Sequence, residues 1–218
     1  MDINKIYCGN SLDLINDLDI FPKLIIMSPP DIAETPYNFQ EYKHFLNEIY
    51  NKCIDKMDEH GVLISITTDR KMNGEIYLKH IDIINSINKK SMLFNYKVWC
   101  KNLKTNLYIL NYCHILCFRK SKKITNNKIK EWYKDVFIIE RDKIKGYKTK
   151  DSFPSKLIEI IIKNFTNEND LVFDPFVGSG KTAKVAKNLK RNYIGFELEK
   201  KNVKIANKLL NEVTIEDL

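Results

Sequence analysis

Two short stretches of the chain combine residue types that could do chemistry. The first is Ser28-Pro29-Pro30-Asp31, which closes the apolar run LIIM with a hydroxyl, two prolines and an acid. Proline fixes its own φ near about −65°, lacks an N–H, and pushes the residue before it out of the helical region. Ser28 and Pro29 are therefore held extended, with carbonyls that point where the backbone dictates. A Pro-Pro pair also simply ends strands, so this motif needs company before it reads as a site.

The second stretch, LVFDPFVGSGKT at 171–182, is an apolar run leading into Asp174-Pro175-Phe176 and the glycine turn Gly178-Ser179-Gly180. Such a turn lets backbone approach a ligand closely, and the helix that follows offers unpaired N–H groups at its start. The ending GSGKT resembles the phosphate loop of ATPases, but that loop needs glycine where this chain has Pro175. Roughly 20 residues further on, the run NYIGFE ends in Glu197, the place where an acid accepts hydrogen bonds from the hydroxyls of an adenosine ribose. A glycine turn followed by a distal acid is a nucleoside-binding unit.

The elements that must position these residues alternate. KIYCG, LIIMS, GVLISIT, LVFDPF and NYIGFE read as strands, and residues 40–57, 75–89, 155–165, 181–190 and 200–211 carry helical spacing. That alternation predicts an α/β fold with a mostly parallel sheet covered on both faces. YKVWCK and YCHILCFRK are expected to close the sheet as an antiparallel edge hairpin. A chain of 218 residues, 44% hydrophobic, suits one domain. Residues 120–150, rich in Lys and Asn with interspersed aromatics, read as a short basic insert.

Bulk properties narrow the function classes. No apolar stretch reaches the roughly 18 residues a membrane span needs, and MDINKIYCGN lacks the pattern of a secretory signal, so a soluble, cytoplasmic protein is expected. Five cysteines without paired spacing argue for reduced thiols. Cys113, His114 and Cys117 lack a second ligand pair and sit in a strand-like pattern, so no metal is expected. A formal charge of +8 and a pI near 9.1 favour a polyanionic partner.

Taken in order, these motifs resemble the amino-methylating DNA methyltransferases of the circularly permuted (beta) class. The resemblance rests on Ser28-Pro29-Pro30 in the N-terminal half and Asp174-Pro175-Phe176 with Gly178-Ser179-Gly180 in the C-terminal half. YCGNSLDLI, HGVLISI, VWCK, CHILCFRK and FPSKLIEIII add to it, so it spans nearly the whole chain. It implies a Rossmann-like methyltransferase fold in permuted motif order, S-adenosylmethionine as cofactor and DNA as substrate, with a partner subunit or a cognate restriction endonuclease as further partners.

The resemblance also implies a mechanism. An exocyclic amino nitrogen is a poor nucleophile because its lone pair is delocalised into the ring. Acceptance of its N–H bonds by the Ser28 hydroxyl and the Pro29 carbonyl frees that lone pair for direct attack on the sulfonium methyl. None of the cysteines follows a proline, which disfavours the cysteine-dependent methylation of cytosine C5. Ser-Pro-Pro is closer to the cytosine-N4 branch of the family than to the adenine-N6 branch, leaving N4 preferred and N6 as the alternative. A degenerate subunit that binds nucleic acid without catalysis is the second alternative.

The chain departs from the family pattern at two places. Asp31 stands where an aromatic commonly stacks on the target base, so Tyr37, Phe39 or Tyr42 supplies the ring, Asp31 binds the base edge, or activity is lost; Tyr37 is preferred. Asn10 stands where the family commonly has an acid and is expected to bond the cofactor's adenine. Phe153, Pro154 and Lys156 of FPSK match positions at the methionine end of the cofactor. Lys128, Lys130, Trp132, Lys143 and Lys145 of the 120–150 segment are candidate nucleic-acid contacts. Lys181, Lys184, Lys187 and Lys190 read as a solvated helix face.

Overall fold

A computed structural model describes residues 1–72, 74–88, 90–101, 110–142 and 153–212. In the first half, strands β1 (Lys5–Cys8), β2 (Leu24–Met27) and β3 (Val62–Thr67) alternate with helices α1 (Ser11–Leu14) and α2 (Phe39–Lys56). A ribbon of β4 (Arg70–Met72) and β5 (Glu75–Tyr77) follows, then α3 (Lys79–Ser86), the longer strands β6 (Met92–Cys100) and β7 (Tyr112–Arg119), and short β8 (Val136–Ile138). The chain finishes α4 (Ser155–Phe165), β9 (Leu171–Asp174), α5 (Lys181–Asn188), β10 (Asn192–Glu197) and α6 (Lys200–Asn211).

The main sheet runs β1-β10-β9-β2-β3-β7-β6-β8. Its first five strands are parallel, β7 opposes both β3 and β6, and β8 lies parallel to β6. This is the Rossmann-like methyltransferase fold expected from the sequence, with the antiparallel β6–β7 pair toward one edge.

Strands buried on both faces explain the continuous apolar runs, since alternate side chains serve opposite layers. Leu24 and Ile26 of β2 pack with Leu157, Ile161, Ala183 and Ala206 of α4, α5 and α6. Ile25 and Met27 face the other way, toward Ile49, Tyr50 and Ile54 of α2. Burying each such aliphatic side chain is worth about 1.5–3 kcal/mol.

Three expectations about elements change. The helix expected over 75–89 begins only at Lys79, because residues 70–72 and 75–77 pair as the ribbon; Asn73-Gly74 is a hairpin signal in the sequence, and Gly74 takes φ +86°. Residues 120–142, the described part of the expected insert, lie mostly at the surface, but they also lay β8 along β6 and send Trp132 and Phe137 into the core. Nor is the lysine stripe of α5 solvated throughout. Lys181 and Lys184 are buried, and the Lys184 and Lys187 ammonium groups donate to the Glu212 and Leu210 carbonyls at 2.5 and 2.9 Å, capping the end of α6.

Candidate functional site

Strands β2 and β9 are neighbours in the sheet, with Ile25 opposite Phe173, so their C-terminal ends emerge side by side. Ser28-Pro29-Pro30 follows β2, and Asp174 ends β9. Residues far apart in sequence are thus brought to one edge of the sheet, where ligands of open parallel sheets commonly bind. A cavity of about 530 Å³ opens there and is lined by Ser28, Pro29 and Pro30 on one wall and by Asp174, Pro175, Phe176, Gly178 and Ser179 on the other. Asn10, Tyr37, Phe153 and Glu197 also line it.

The Pro-Pro wall presents acceptors. The Pro30 carbonyl takes the Tyr42 hydroxyl at 2.7 Å. The Ser28 hydroxyl and the Pro29 carbonyl bond no partner among the described residues. Asp31 turns away from the cavity: its carboxylate caps the helical turn Ile32–Glu34 through the Ala33 N–H at 3.1 Å and pairs with Arg70 at 2.7 Å. Glu34 closes the box by accepting the Asp31 N–H at 2.9 Å.

The opposite wall is held by its own network. Gly180 caps α5 at φ +84°, and a Cβ there would lie 2.7 Å from the Ala206 Cβ, so the turn requires glycine. The Ser11 hydroxyl bonds the Pro175 carbonyl. Burial pushes the Asp174 carboxyl up to about 7, against hydrogen bonds from the Thr182 hydroxyl and the Phe176 N–H that favour its ionised form. The Lys181 ammonium donates to the Phe153 carbonyl at 2.9 Å and to Asp142 at 3.1 Å, tying the segment before α4 to the glycine turn.

Glu197 Oε1 accepts the Glu199 N–H at 2.8 Å and the Asn202 amide at 3.2 Å, which orients the carboxylate and leaves Oε2 for a ligand. Asn10 caps α1 by accepting the Leu12 N–H at 2.9 Å, keeping its amide N–H bonds for the cavity. The volume, the apolar rings of Phe153 and Phe176 and the oriented acid fit an adenosyl cofactor.

Several expected site residues lie elsewhere. Pro154 caps α4, and neither it nor Gly180 lines the cavity. Lys156 points outward and pairs with Glu159 at 3.1 Å. Trp132 is 5% exposed and packs against Phe137 and Phe165, so it cannot stack on a base. Lys128 and Lys130 sit beside the C-terminal end of α4, where Asn127 and Ile129 bond Asn164; that end leads into β9 and lies on the sheet edge opposite the cavity. Lys143 and Lys145 lie outside the described residues. Tyr37 does reach the site, its ring 5.5 Å from that of Phe45. Sequence reasoning missed Ser11, Thr182 and Asn202. Thr182, next to the glycine turn, was legible as a polar neighbour of Asp174; the other two become neighbours only through the fold.

Beside this edge stands a second polar cluster. Asp69 accepts from the His80 ring at 2.8 Å and faces the His114 ring at 3.1 Å. It is the one group of three potential metal ligands among the described residues. The two imidazoles are stacked 3.9 Å apart at 17°. A ring nitrogen's lone pair lies in the ring plane, and two nearly parallel planes do not meet at bonding distance from both nitrogens, so this geometry suits a hydrogen-bond network and not an ion. Burial alone would raise the Asp69 carboxyl, but hydrogen bonds from His114 and His80 outweigh it and hold it down to about 2.

A family model described as DNA methylase matches residues 23–208. The Type II methyltransferase M1.MboII of Moraxella bovis is 28% identical across 99% of each chain. The Type II methyltransferase M.HinfI of Haemophilus influenzae is 34% identical over 53% of this chain, a stretch that spans only 32% of that relative. Among solved structures, the M1.HpyAVI–SAM complex superposes with a TM-score of 0.73 at 26% identity, covering 95% of this chain and 99% of the other. The cytosine-N4-specific PvuII DNA methyltransferase reaches 0.82 at 18% identity, over 96% and 88%, a likeness of fold alone.

Proposed function

The chain belongs to the S-adenosylmethionine-dependent N6/N4 DNA methylase family, and from that premise we propose that it methylates the exocyclic N4 amino group of cytosine in DNA. The observation that carries this reading is the pair of unsatisfied acceptors, the Ser28 hydroxyl oxygen and the Pro29 carbonyl, facing a cavity whose other wall is the glycine turn. An amino group entering between them finds acceptors for both of its N–H bonds.

S-adenosylmethionine supplies, when bound, an electrophilic methyl group on a sulfonium. The chain's own residues do the rest. Glu197 receives the ribose hydroxyls, Asn10 donates to the adenine, and Phe153 and Phe176 exclude water from the apolar part of the cavity. Asp174 offers a carboxylate to the cationic end. Ser28 and Pro29 draw on the amino hydrogens, localise the nitrogen lone pair and fix its direction, so that catalysis is orientation plus polarisation. Tyr37, on the cavity rim, takes the stacking role that an acid at position 31 cannot fill. The preference for cytosine N4 over adenine N6 follows from the resemblance of Ser-Pro-Pro to the cytosine branch.

The test is direct. DNA from cells expressing the chain is digested to nucleosides and analysed by mass spectrometry, with the Ser28→Ala chain as control. N4-methyl-2′-deoxycytidine that vanishes in the control supports the reading. N6-methyl-2′-deoxyadenosine in its place moves the acceptor to adenine, and no modified base from either chain refutes methyl transfer.

A further inference from the structure

The end of the sheet opposite the cofactor cavity carries a second recess. Arg119 ends β7 opposite Val62, the first residue of β3, so it stands at the other sheet edge from Ser28 and Asp174. A cavity of about 490 Å³ opens there, and Asn95, Lys97, Arg119, Lys122, Tyr133 and Asp135 are among its lining residues. Strand β6 is irregular at this point: Leu93 and Asn95 pair with the consecutive residues Phe118 and Cys117 of β7, which leaves Phe94 as an extra residue. Such a bulge re-aims side chains, and here both Phe94 and Asn95 line the recess.

The cations of this recess are short of counter-ions. Lys97 has a side chain only 3% exposed, and its ammonium lies 5.1 Å from the centre of the Trp132 ring. It donates to the Lys134 carbonyl at 2.9 Å; its one carboxylate contact among the described residues, Asp135, is 3.5 Å away and 88% exposed. The Arg119 guanidinium lies 4.7 Å from the centre of the Phe94 ring, and its buried Nε bonds no partner among the described residues. Lys122 adds a third, exposed cation, and Asp135 is the one acid among the described lining residues. Taking cations out of water is costly unless they are paired, so three cations facing one solvated acid call for an anion. Tyr133, 62% exposed, contributes a ring to the same recess.

We infer that this recess binds a nucleoside monophosphate, with the phosphate held by Arg119, Lys97 and Lys122 and the base stacked on Tyr133. A guanidinium fork matches phosphate oxygens two at a time, and an exposed aromatic ring accepts the face of any base. The Asn95 amide, which bonds nothing among the described residues, offers donors and an acceptor to the sugar or the base. A free mononucleotide suits the recess better than a continuous strand. The volume is that of a small-ligand pocket, and the corner proposed to receive a DNA target lies at the other edge of the sheet. The recess is separate from the methyl-transfer site, and its test needs no enzymatic activity.

The test is calorimetric titration of thymidine 5′-monophosphate into the full chain in the presence of saturating S-adenosylhomocysteine, which keeps the nucleotide out of the cofactor cavity. Thymine has no exocyclic amino group for Ser28 and Pro29 to hold. The wild-type chain is expected to bind with a Kd of about 1 mM or tighter, and Arg119→Ala about tenfold or more weakly than that. Tyr133→Ala should weaken binding by about fivefold or more and Lys122→Gln by about threefold. Both of these side chains are exposed, so the two variants keep the test decisive should Arg119→Ala fail to fold. Thymidine, which lacks the phosphate, should bind about tenfold or more weakly than its monophosphate. No binding by the wild-type chain, equal affinity in all the chains, or equal affinity for thymidine would each overturn the inference. So would inorganic phosphate binding as tightly as the nucleotide, which removes the base from the recess. An oligothymidylate without terminal phosphates that competes equally well, nucleotide for nucleotide, would also overturn it by assigning the recess to a nucleic-acid strand.

Discussion

Arg70 Nη1 lies 2.7 Å from Asp31 Oδ1, binding the residue after Pro-Pro to a ribbon some forty positions further along the chain. The pair explains why an acid can stand at a position where an aromatic would be expected: its carboxylate is engaged in structure and does not face the cavity. Both side chains are partly exposed, at 27% and 40%, so the pair and the cap together contribute about 1 kcal/mol. Asp31→Ala should therefore lower the chain's stability by about that amount in denaturant titration, and a loss above about 3 kcal/mol would mean that Asp31 holds more than the ribbon.

Tyr37 lines the Pro-Pro side of the cavity and is partly exposed, its ring packing on Phe45 at the margin of the core, whereas Tyr42 is fully buried and Phe39 packs on Tyr77. Base stacking is worth about 1–3 kcal/mol, so Tyr37→Ala should raise KM for DNA by about tenfold or more while Tyr37→Phe stays near wild type. Steady-state kinetics on both variants checks this. Equal defects in the two would assign the effect to the hydroxyl.

Asp174 makes stability and cofactor binding depend on pH. Its folded value of about 7 lies above the ordinary 3.8. Between these values the folded chain holds a proton that the unfolded chain has released, so this group's contribution is complete below about pH 4 and is lost as pH rises through about 7. Urea titrations should show that decline, and Asp174→Asn should flatten it. A cationic cofactor favours the ionised carboxylate, so affinity measured calorimetrically should rise from about pH 6 to about pH 8 in the wild type and not in Asp174→Asn.

Asp69 has the opposite sign. Its folded value near 2 lies below 3.8, so its contribution is complete above about pH 4 and is lost as pH falls through about 2. Asp69→Asn should cost about 2 kcal/mol at neutral pH and almost nothing near pH 2. A cost that persists in acid would show that packing, not charge, makes Asp69 matter.

The motifs were legible because each rests on local chemistry: prolines that fix an extended corner, glycines that permit positive φ, an acid at the end of a strand. Helices α4 and α6 were legible to the residue from apolar spacing alone. What escaped depends on neighbours. Trp132 sits in a Lys- and Asn-rich, mostly exposed segment, and the pairing of β8 with β6 accompanies the burial of its Trp132 and Phe137. The α5 lysines have a periodicity that suits solvent, yet the end of α6 packs over them and supplies carbonyls. Lys156 shares a motif with Phe153, but the first turn of α4 rotates it outward to Glu159. The ribbon was masked by helical spacing carried back from α3 to residue 75, right up to the Asn73-Gly74 pair that marks a hairpin.

The most direct measurement is a crystal structure of the chain with S-adenosylmethionine or an unreactive analogue bound. The account predicts the ribose hydroxyls on Glu197 and the sulfonium methyl directed at the corner between the Ser28 hydroxyl and the Pro29 carbonyl, leaving room for an amino nitrogen about 3–3.5 Å from the methyl. A cofactor bound with its methyl directed away from that corner, or seated outside the cavity between β2 and β9, would contradict it.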